Sequence, residues 1–476
     1  MTERLLSGNL PLDRVLGGGL PANAISMIIG LPGSGKTIVA QQYVFRNGTP
    51  ERPSVYFSTV SEPLEKLLRF GQTLDFFDPE AIGKSVFYED LGDILNRDGL
   101  DGLTERVASV LLERRPGLIV IDSFKALNAF SSDPGEFRRF LHQFAGRLSV
   151  SPTASLWVGE YEEDEVANGP EFAVADAILG LVTVRSGERE MRLLQVRKLR
   201  GSDFLSGRHA YRLSSTGLNL FPRLADPPAE LPYDLNKSKV SSGIDALDHM
   251  LADGYWPGAS TLIAGPSGSG KTLMGLHFIF NGARLGEPGI VATLQENPIQ
   301  LQRIVDGFGW SLDEPGVEVM YRSPVDIYID EWVYELLAAA EKTGAKRILL
   351  DSLADLRMTT SDEIRFREFV YSLIQRCSRA GISLMMTMEI PDLFGVERLS
   401  EFGISHLSDN MVLLNYFIDR GLIKRAMSVT KTRASRHEPE IREFSIDPTG
   451  IVLGDIAPYG KKQTPGTPNV IGGPGT

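Results

Sequence analysis

Residues 30–37 of this chain read GLPGSGKT, and residues 265–272 read GPSGSGKT. Each loop follows an apolar run, AISMII in the first copy, and leads into a helix-like segment such as IVAQQYVF. A strand, a glycine-rich loop and a helix in that order make a cradle for phosphate groups. Gly30, Gly33 and Gly35, with Ser34 between them, let backbone N–H groups wrap a polyanion, and the start of the helix adds its dipole. Lys36 then reaches the terminal phosphates and the Thr37 hydroxyl is offered to magnesium. Gly265, Gly268, Ser269, Gly270, Lys271 and Thr272 repeat every part, so ATP with magnesium is the ligand expected at both loops.

Three further sets of residues fit the same chemistry. Asp122 and Asp351 each end an apolar run, which puts a carboxylate at the carboxyl edge of a buried strand, where it can hold magnesium through water beside Thr37 or Thr272. An aspartate capping a strand-to-helix turn is the alternative reading of each. Glu62, in TVSEP, and Glu296, in TLQENP, follow the next strand of their halves and could polarise the water that attacks a γ-phosphate; a helix-start charge near a proline reads the same way. If LLQVRKLRG and RAMSVTKTRA are strands, Arg192, Lys198 and Arg200 are an even number of residues apart and share a face, as do Arg425, Lys431 and Arg433. Each loop already supplies a lysine to its own nucleotide, so these cations are expected to reach the γ-phosphate held by a neighbouring subunit. A solvated charged strand face is the alternative.

The elements that position these groups come from a duplication. Ser7-Gly8, Leu12-Asp13, Leu16 and Gly19 recur at Ser242-Gly243, Leu247-Asp248, Leu251 and Gly254 with the offset that relates the two loops. Short β-branched runs such as SVYFSTV and GLIVIDS alternate with longer amphipathic stretches, the pattern of an α/β domain with a largely parallel sheet. A chain of 476 residues is too long for one core and suits two such domains, residues 1–225 and 226–453, with a Gly/Pro-rich tail, residues 454–476, expected to be flexible. The boundary is expected in FPRLADPPAELPYDLNK, where prolines break the periodicity. No apolar run approaches bilayer length and no export signal precedes the first domain, so a cytoplasmic protein away from membranes is expected. The single cysteine, Cys377, reads as buried filler. The six histidines lack metal-ligand spacing. A net charge of −12 without a long basic run argues against nucleic acid as a partner.

Taken together, these residues resemble the KaiC family of two-domain RecA-like ATPases over roughly residues 5–450. The resemblance implies tandem duplicated RecA-like P-loop NTPase domains, each a largely parallel twisted sheet flanked by helices. It further implies a homo-hexameric ring of two tiers with ATP between adjacent subunits, hydrolysis in the first tier, and serine autophosphorylation and dephosphorylation in the second. One loop per tier explains the repetition. Where the family has two adjacent glutamates, this chain has Ser61-Glu62 and Gln295-Glu296. Where it has an adjacent Ser-Thr pair of phosphoacceptors, this chain has Ser405-His406, followed by Leu407-Ser408-Asp409. Ser405 is thus the implied acceptor and Ser408 the second. Lys198-x-Arg200 and Lys431-x-Arg433 carry over intact, the latter followed by Ser435 and His437. The tail KKQTPGTPNVIGGPGT has no amphipathic helix of the sort that receives a regulatory binder in clock proteins, so regulatory partners stay unidentified and a clock is not expected from it. A RecA- or helicase-like motor on nucleic acid, and an ATP-gated scaffold with little turnover, are the alternatives.

Overall fold

A computed structural model describes residues 3–60, 63–186, 189–224, 238–325, 327–360, 362–390 and 406–458. The halves fold as two compact units, Met1–Arg223 and Leu224–Thr476. The first opens with a two-stranded ribbon, β1 (Arg4–Leu5) and β2 (Leu20–Pro21). Its main strands are β3 (Ile25–Gly30), β4 (Ser54–Ser58), β5 (Val86–Asp90), β6 (Leu118–Asp122), β7 (Ala154–Gly159), β8 (Ala177–Ser186), β9 (Arg189–Leu199), β10 (Arg208–Ser214) and β11 (Gly217–Phe221). The second unit has β12 (Ser260–Gly265), β13 (Gly289–Thr293), β14 (Val317–Tyr321), β15 (Arg347–Asp351), β16 (Ser383–Glu389), β17 (Asn410–Asp419), β18 (Leu422–Thr432), β19 (Ile441–Asp447) and β20 (Gly450–Ile456).

Each unit is built on one nine-stranded sheet, ordered β11-β10-β9-β8-β3-β7-β6-β4-β5 in the first and β14-β13-β15-β16-β12-β17-β18-β19-β20 in the second. The strands from β8 to β5 and from β14 to β17 run parallel, and an antiparallel meander closes the other end of each sheet. All residues of β3, β7 and β12 are buried, because helices cover both faces of a parallel sheet. Two apolar layers result in each unit. In the first, Val39, Tyr43, Leu179 and Leu194 pack on one face, and Phe57, Phe124, Trp157 and Ile178 on the other. In the second, Met274, Leu349 and Met427 face one way, and Trp332, Leu350 and Met411 the other. Cys377 belongs to this last layer, where burial pushes its thiol up to about 12.

The last strand runs on to Ile456 and Ala457 is buried, a correction to a tail beginning at residue 454: Ile456 pairs with Arg442, so the ladder carries the chain past that point. The rest of the expected tail, from residue 459, and the interdomain residues 225–237 lie outside the described residues. No helix among the described residues is long and apolar enough to cross a membrane.

His277 is a buried titratable group in the second unit. It sits on the phosphate-loop helix, Lys271–Arg284, only 9% exposed, with its ring edge-on to Trp310 at 4.8 Å. Its Nε2 accepts the Ile451 N–H at 3.2 Å. Burial, aided by the Arg284 charge and opposed by a hydrogen bond to the Gly243 backbone, holds it down at about 4 against an ordinary 6.5. The folded protein therefore binds fewer protons at this ring than the unfolded chain does. Its contribution is fully present above pH 6.5 and is lost as the pH falls towards 4. Urea unfolding of the second unit should lose about 2–3 kcal/mol over that window, and His277→Gln should flatten the loss by most of that amount.

Candidate functional site

Both glycine-rich loops lie at the carboxyl end of a central strand, β3 or β12, where open parallel sheets bind ligands. Gly33 and Gly35 take φ of 76° and 91°, and Gly268 and Gly270 take 72° and 105°, a left-handed backbone that side chains disfavour. Space adds to this. A Cβ on Gly30 would stand 2.3 Å from the Leu181 carbonyl oxygen, and one on Gly265 would stand 2.6 Å from that of Leu414. The helices Lys36–Asn47 and Lys271–Arg284 begin without a side-chain cap, so their first N–H groups remain for an anion. Tyr211 donates to the Ser34 carbonyl at 2.6 Å and Tyr416 to that of Ser267 at 3.3 Å, bracing each loop from behind.

The expected threonines, aspartates and lysines converge on these loops. Thr37 Oγ1 donates to Asp122 Oδ2 at 2.9 Å, and Thr272 Oγ1 to Asp351 Oδ2 at 2.7 Å. Lys36 Nζ curls back on the Leu31 carbonyl at 2.9 Å, and Lys271 Nζ on those of Gly265 and Pro266 at 3.0 and 2.8 Å. Burial lowers the pKa of both lysines, and nearby carboxylates oppose the shift: Glu160 and Asp122 for the first, Glu389 and Asp351 for the second. Ser34 and Ser269, at matching loop positions, each bury a hydroxyl that has no hydrogen-bond partner among the described residues. Among the described residues no three His, Cys, Asp or Glu side chains gather to hold a metal. Each site instead offers one hydroxyl and one carboxylate, a hard oxygen set that fits magnesium arriving with phosphates.

Glu296 follows β13, partly buried, with its N–H donating to Thr293 Oγ1 at 3.1 Å. Burial and then the Asp351 charge raise its pKa. Gln295, its neighbour, is exposed. Glu62 and Ser405 lie outside the described residues. Ser408 is described and fully buried, with its carbonyl accepting Lys431 at 2.6 Å. That burial withdraws its hydroxyl as an acceptor open to a nucleotide.

Each basic triad is split, Arg192 from Lys198 and Arg425 from Lys431, a correction with one cause in both halves. A bulge between Ile178 and Leu179 pairs Ile178 with Lys198 but Leu179 with Val196, and a second between Met411 and Val412 pairs Met411 with Lys431 but Val412 with Val429. One extra residue flips the alternation. Arg192, opposite Thr183, falls on the face of Leu194 and Val196, while Lys198 falls on that of Ile178. Arg425 stays with its own loop, donating to the Gly268 carbonyl at 3.4 Å and lying over the Tyr416 ring at 5.7 Å.

Lys198 and Arg200 lie at the other end of the sheet. Lys198 Nζ donates to the Phe172 carbonyl at 3.1 Å, and Arg200 pairs at 3.2 Å with Asp176, which accepts the N–H of Ile25 at the start of β3. Lys431 and Arg433 repeat this against the carbonyls of Ser408 and His406 at 2.6 and 2.8 Å, next to Asp409 and the start of β12. The length of the central strand, about 15–20 Å at its usual rise per residue, therefore separates each pair from the phosphate loop of its own unit. Burial and the neighbouring arginine lower the pKa of Lys198 and Lys431.

Sequence reasoning missed several groups here. Glu160, one residue past β7, approaches Lys36 Nζ at 3.7 Å, and Glu389 ends the matching strand β16. The polar ends of both runs, SLWVGE and SLMMTME, carried that signal. Arg197, the extra residue of the first bulge, bonds to Glu163. It lines a cavity of about 500 Å³ beside Gly30, Leu31 and Tyr161. Tyr56 and Thr387, both bonded to the aspartates, gave no signal at all.

A family model described as ATPase: KaiC matches residues 7–225 and again residues 240–457. The Circadian clock protein KaiC3 of Synechocystis sp. is 28% identical over 472 residues, which cover 95% of this chain and 92% of that protein. The Circadian clock oscillator protein KaiC of Rippkaea orientalis is 26% identical over 477 residues, covering 96% of this chain and 90% of its own. That of Synechococcus elongatus is 27% identical over 477 residues, with the same shares of 96% and 90%.

Proposed function

The chain belongs to the KaiC ATPase family, and from that membership we propose an ATP hydrolase with two magnesium-dependent nucleotide sites, one per half, completed between subunits of a two-tiered homo-hexamer. The observation that carries the proposal is the hydroxyl–carboxylate pair at both loops, Thr37 with Asp122 and Thr272 with Asp351, at 2.9 and 2.7 Å. Gly30, Gly33, Ser34, Gly35 and Lys36, with Gly265, Gly268, Ser269, Gly270 and Lys271, cradle the phosphates. The threonines would hold the metal directly and the aspartates through water. When bound, magnesium neutralises charge on the β- and γ-phosphate oxygens. Glu62 and Glu296 orient and deprotonate the attacking water.

Lys198 with Arg200, and Lys431 with Arg433, serve the neighbouring subunit. In support, each pair sits at the sheet end opposite its own loop. Arg192 and Arg425 are left out of that role, since Arg425 already binds its own loop. In the second half Ser405 is the phosphoacceptor, and the Lys431 and Arg433 cations gather at the adjacent His406 carbonyl, 3.4 and 2.8 Å away. The output is conformational, read by protein partners.

Subunit mixing tests this reading. With the second half silenced by Lys271→Ala throughout, Lys198→Ala chains and Lys36→Ala chains should each hydrolyse little ATP alone. Mixed one to one, they place an intact Lys36 against an intact Lys198 at about one quarter of the interfaces of a ring, and that share of turnover should return. A mixture no more active than its parts, while light scattering reports rings, would remove the subunit-bridging role.

A further inference from the structure

The metal-side aspartate of each half is held by a second hydroxyl besides the loop threonine, and the two halves draw that hydroxyl from different strands. In the first, Tyr56 of β4 donates to Asp122 Oδ2 at 2.5 Å. In the second, Thr387 of β16 donates to Asp351 Oδ1. The sheet registers make these positions comparable. Ser58 pairs with Asp122 as Thr293 pairs with Asp351, so Tyr56 and Val291 occupy the same place, two residues earlier on the strand at one side. On the other side Val158 pairs with Asp122, and Thr387 follows Met386, the partner of Leu350, so Val158 and Thr387 also match. Each half thus has one hydroxyl and one valine beside its aspartate, exchanged between the flanking strands. Tyr56 is fully buried and Thr387 likewise, and a buried hydroxyl aimed at a carboxylate orients it with little freedom to turn away.

We propose that Tyr56 and Thr387 are positioning residues which fix the rotamer of the aspartate and so set how tightly each half takes up magnesium with its nucleotide. The proposal rests on the nucleotide reading above. The two halves need not respond alike. In the first, Thr37 and Tyr56 converge on one oxygen, Oδ2; in the second, Thr272 and Thr387 hold one oxygen each.

The experiment uses the full chain and reads binding, with no turnover required. A fluorescent ATP analogue is titrated at a series of magnesium concentrations and in EDTA. The first half is read in a Lys271→Ala background and the second in a Lys36→Ala background. Tyr56→Phe should raise the magnesium midpoint of the first half about ten-fold, as loss of a partner behind a metal ligand does. Its affinity in EDTA should stay unchanged. Thr387→Val should do the same in the second half and Thr387→Ser should not. Adding Val158→Thr to Tyr56→Phe moves the missing hydroxyl to the strand used by the other half and should return the midpoint towards its starting value. A purely structural role would weaken binding equally with and without magnesium and would not be rescued, and that result overturns the proposal. So does an unshifted midpoint in both Tyr56→Phe and Thr387→Val. If the parent chains bind the analogue equally well in magnesium and EDTA, the magnesium reading of the site falls and this proposal falls with it.

Discussion

In a chain carrying Lys36→Ala, so that only the second half turns over, Glu296→Gln should slow phosphate release about 10²- to 10⁴-fold, the range for removing a general base. Binding of ATP should change by less than about two-fold, because glutamine keeps the shape and the contacts of the side chain. The same substitution should abolish γ-phosphate label on Ser405, detected by phosphosite mapping, if one carboxylate serves both water and serine. The pH dependence supplies a second readout. The base works deprotonated, and burial together with Asp351 raises its pKa above the ordinary 4.5. Turnover of the second half should therefore be full at neutral pH and fall as the pH drops through that raised value, earlier than an exposed glutamate would allow. A rate within a factor of three of the parent would transfer the role to another carboxylate, with Glu389 the first to test.

Arg347→Leu should destabilise the second unit by about 3 kcal/mol and leave the first untouched. Arg347 is 1% exposed at the start of β15. Its Nε and Nη2 donate to Glu287 Oε2 at 2.8 and 2.5 Å, its Nη1 donates to the Ser241 and Phe278 carbonyls at 2.9 and 2.8 Å, and its guanidinium lies 4.7 Å from the Phe278 ring. Glu287 is partly exposed and regains water when the arginine goes, whereas the inner carbonyls lose a donor and a hollow opens over Gly282, whose absent Cβ would have stood 2.4 Å from Arg347 Cδ. The matching position of the first unit holds Leu118, paired with Ser54 as Arg347 is with Gly289. Leucine is therefore compatible with the strand. Calorimetry of the parent and the variant decides it: a loss below 1 kcal/mol would mean the arginine was merely accommodated.

The phosphate loops, their threonines and the aspartates were legible because each depends on a local rule. A glycine is needed where φ is positive, a lysine and a threonine where a helix opens on phosphate, and a carboxylate where an apolar strand ends. The repeat then supported every assignment twice. The basic triads failed for a reason that is also physical. Counting by twos assumes an uninterrupted pleat, and one unpaired residue at Arg197 or Thr430 turns the remainder of the strand over. Nothing in LLQVRKLRG or RAMSVTKTRA marks that insertion.

By itself, then, the sequence determined a duplicated α/β chain with two glycine-rich turns from strand to helix, since composition, period and loop chemistry act over a few residues. Which side chains stand behind those turns was decided only by tertiary structure. Tyr56 and Asp122 are 66 residues apart and Thr387 and Asp351 are 36 apart, and no local pattern couples them. They meet because parallel strands, unlike hairpins, bring distant segments edge to edge, so the partners of a buried carboxylate are chosen by strand order and register.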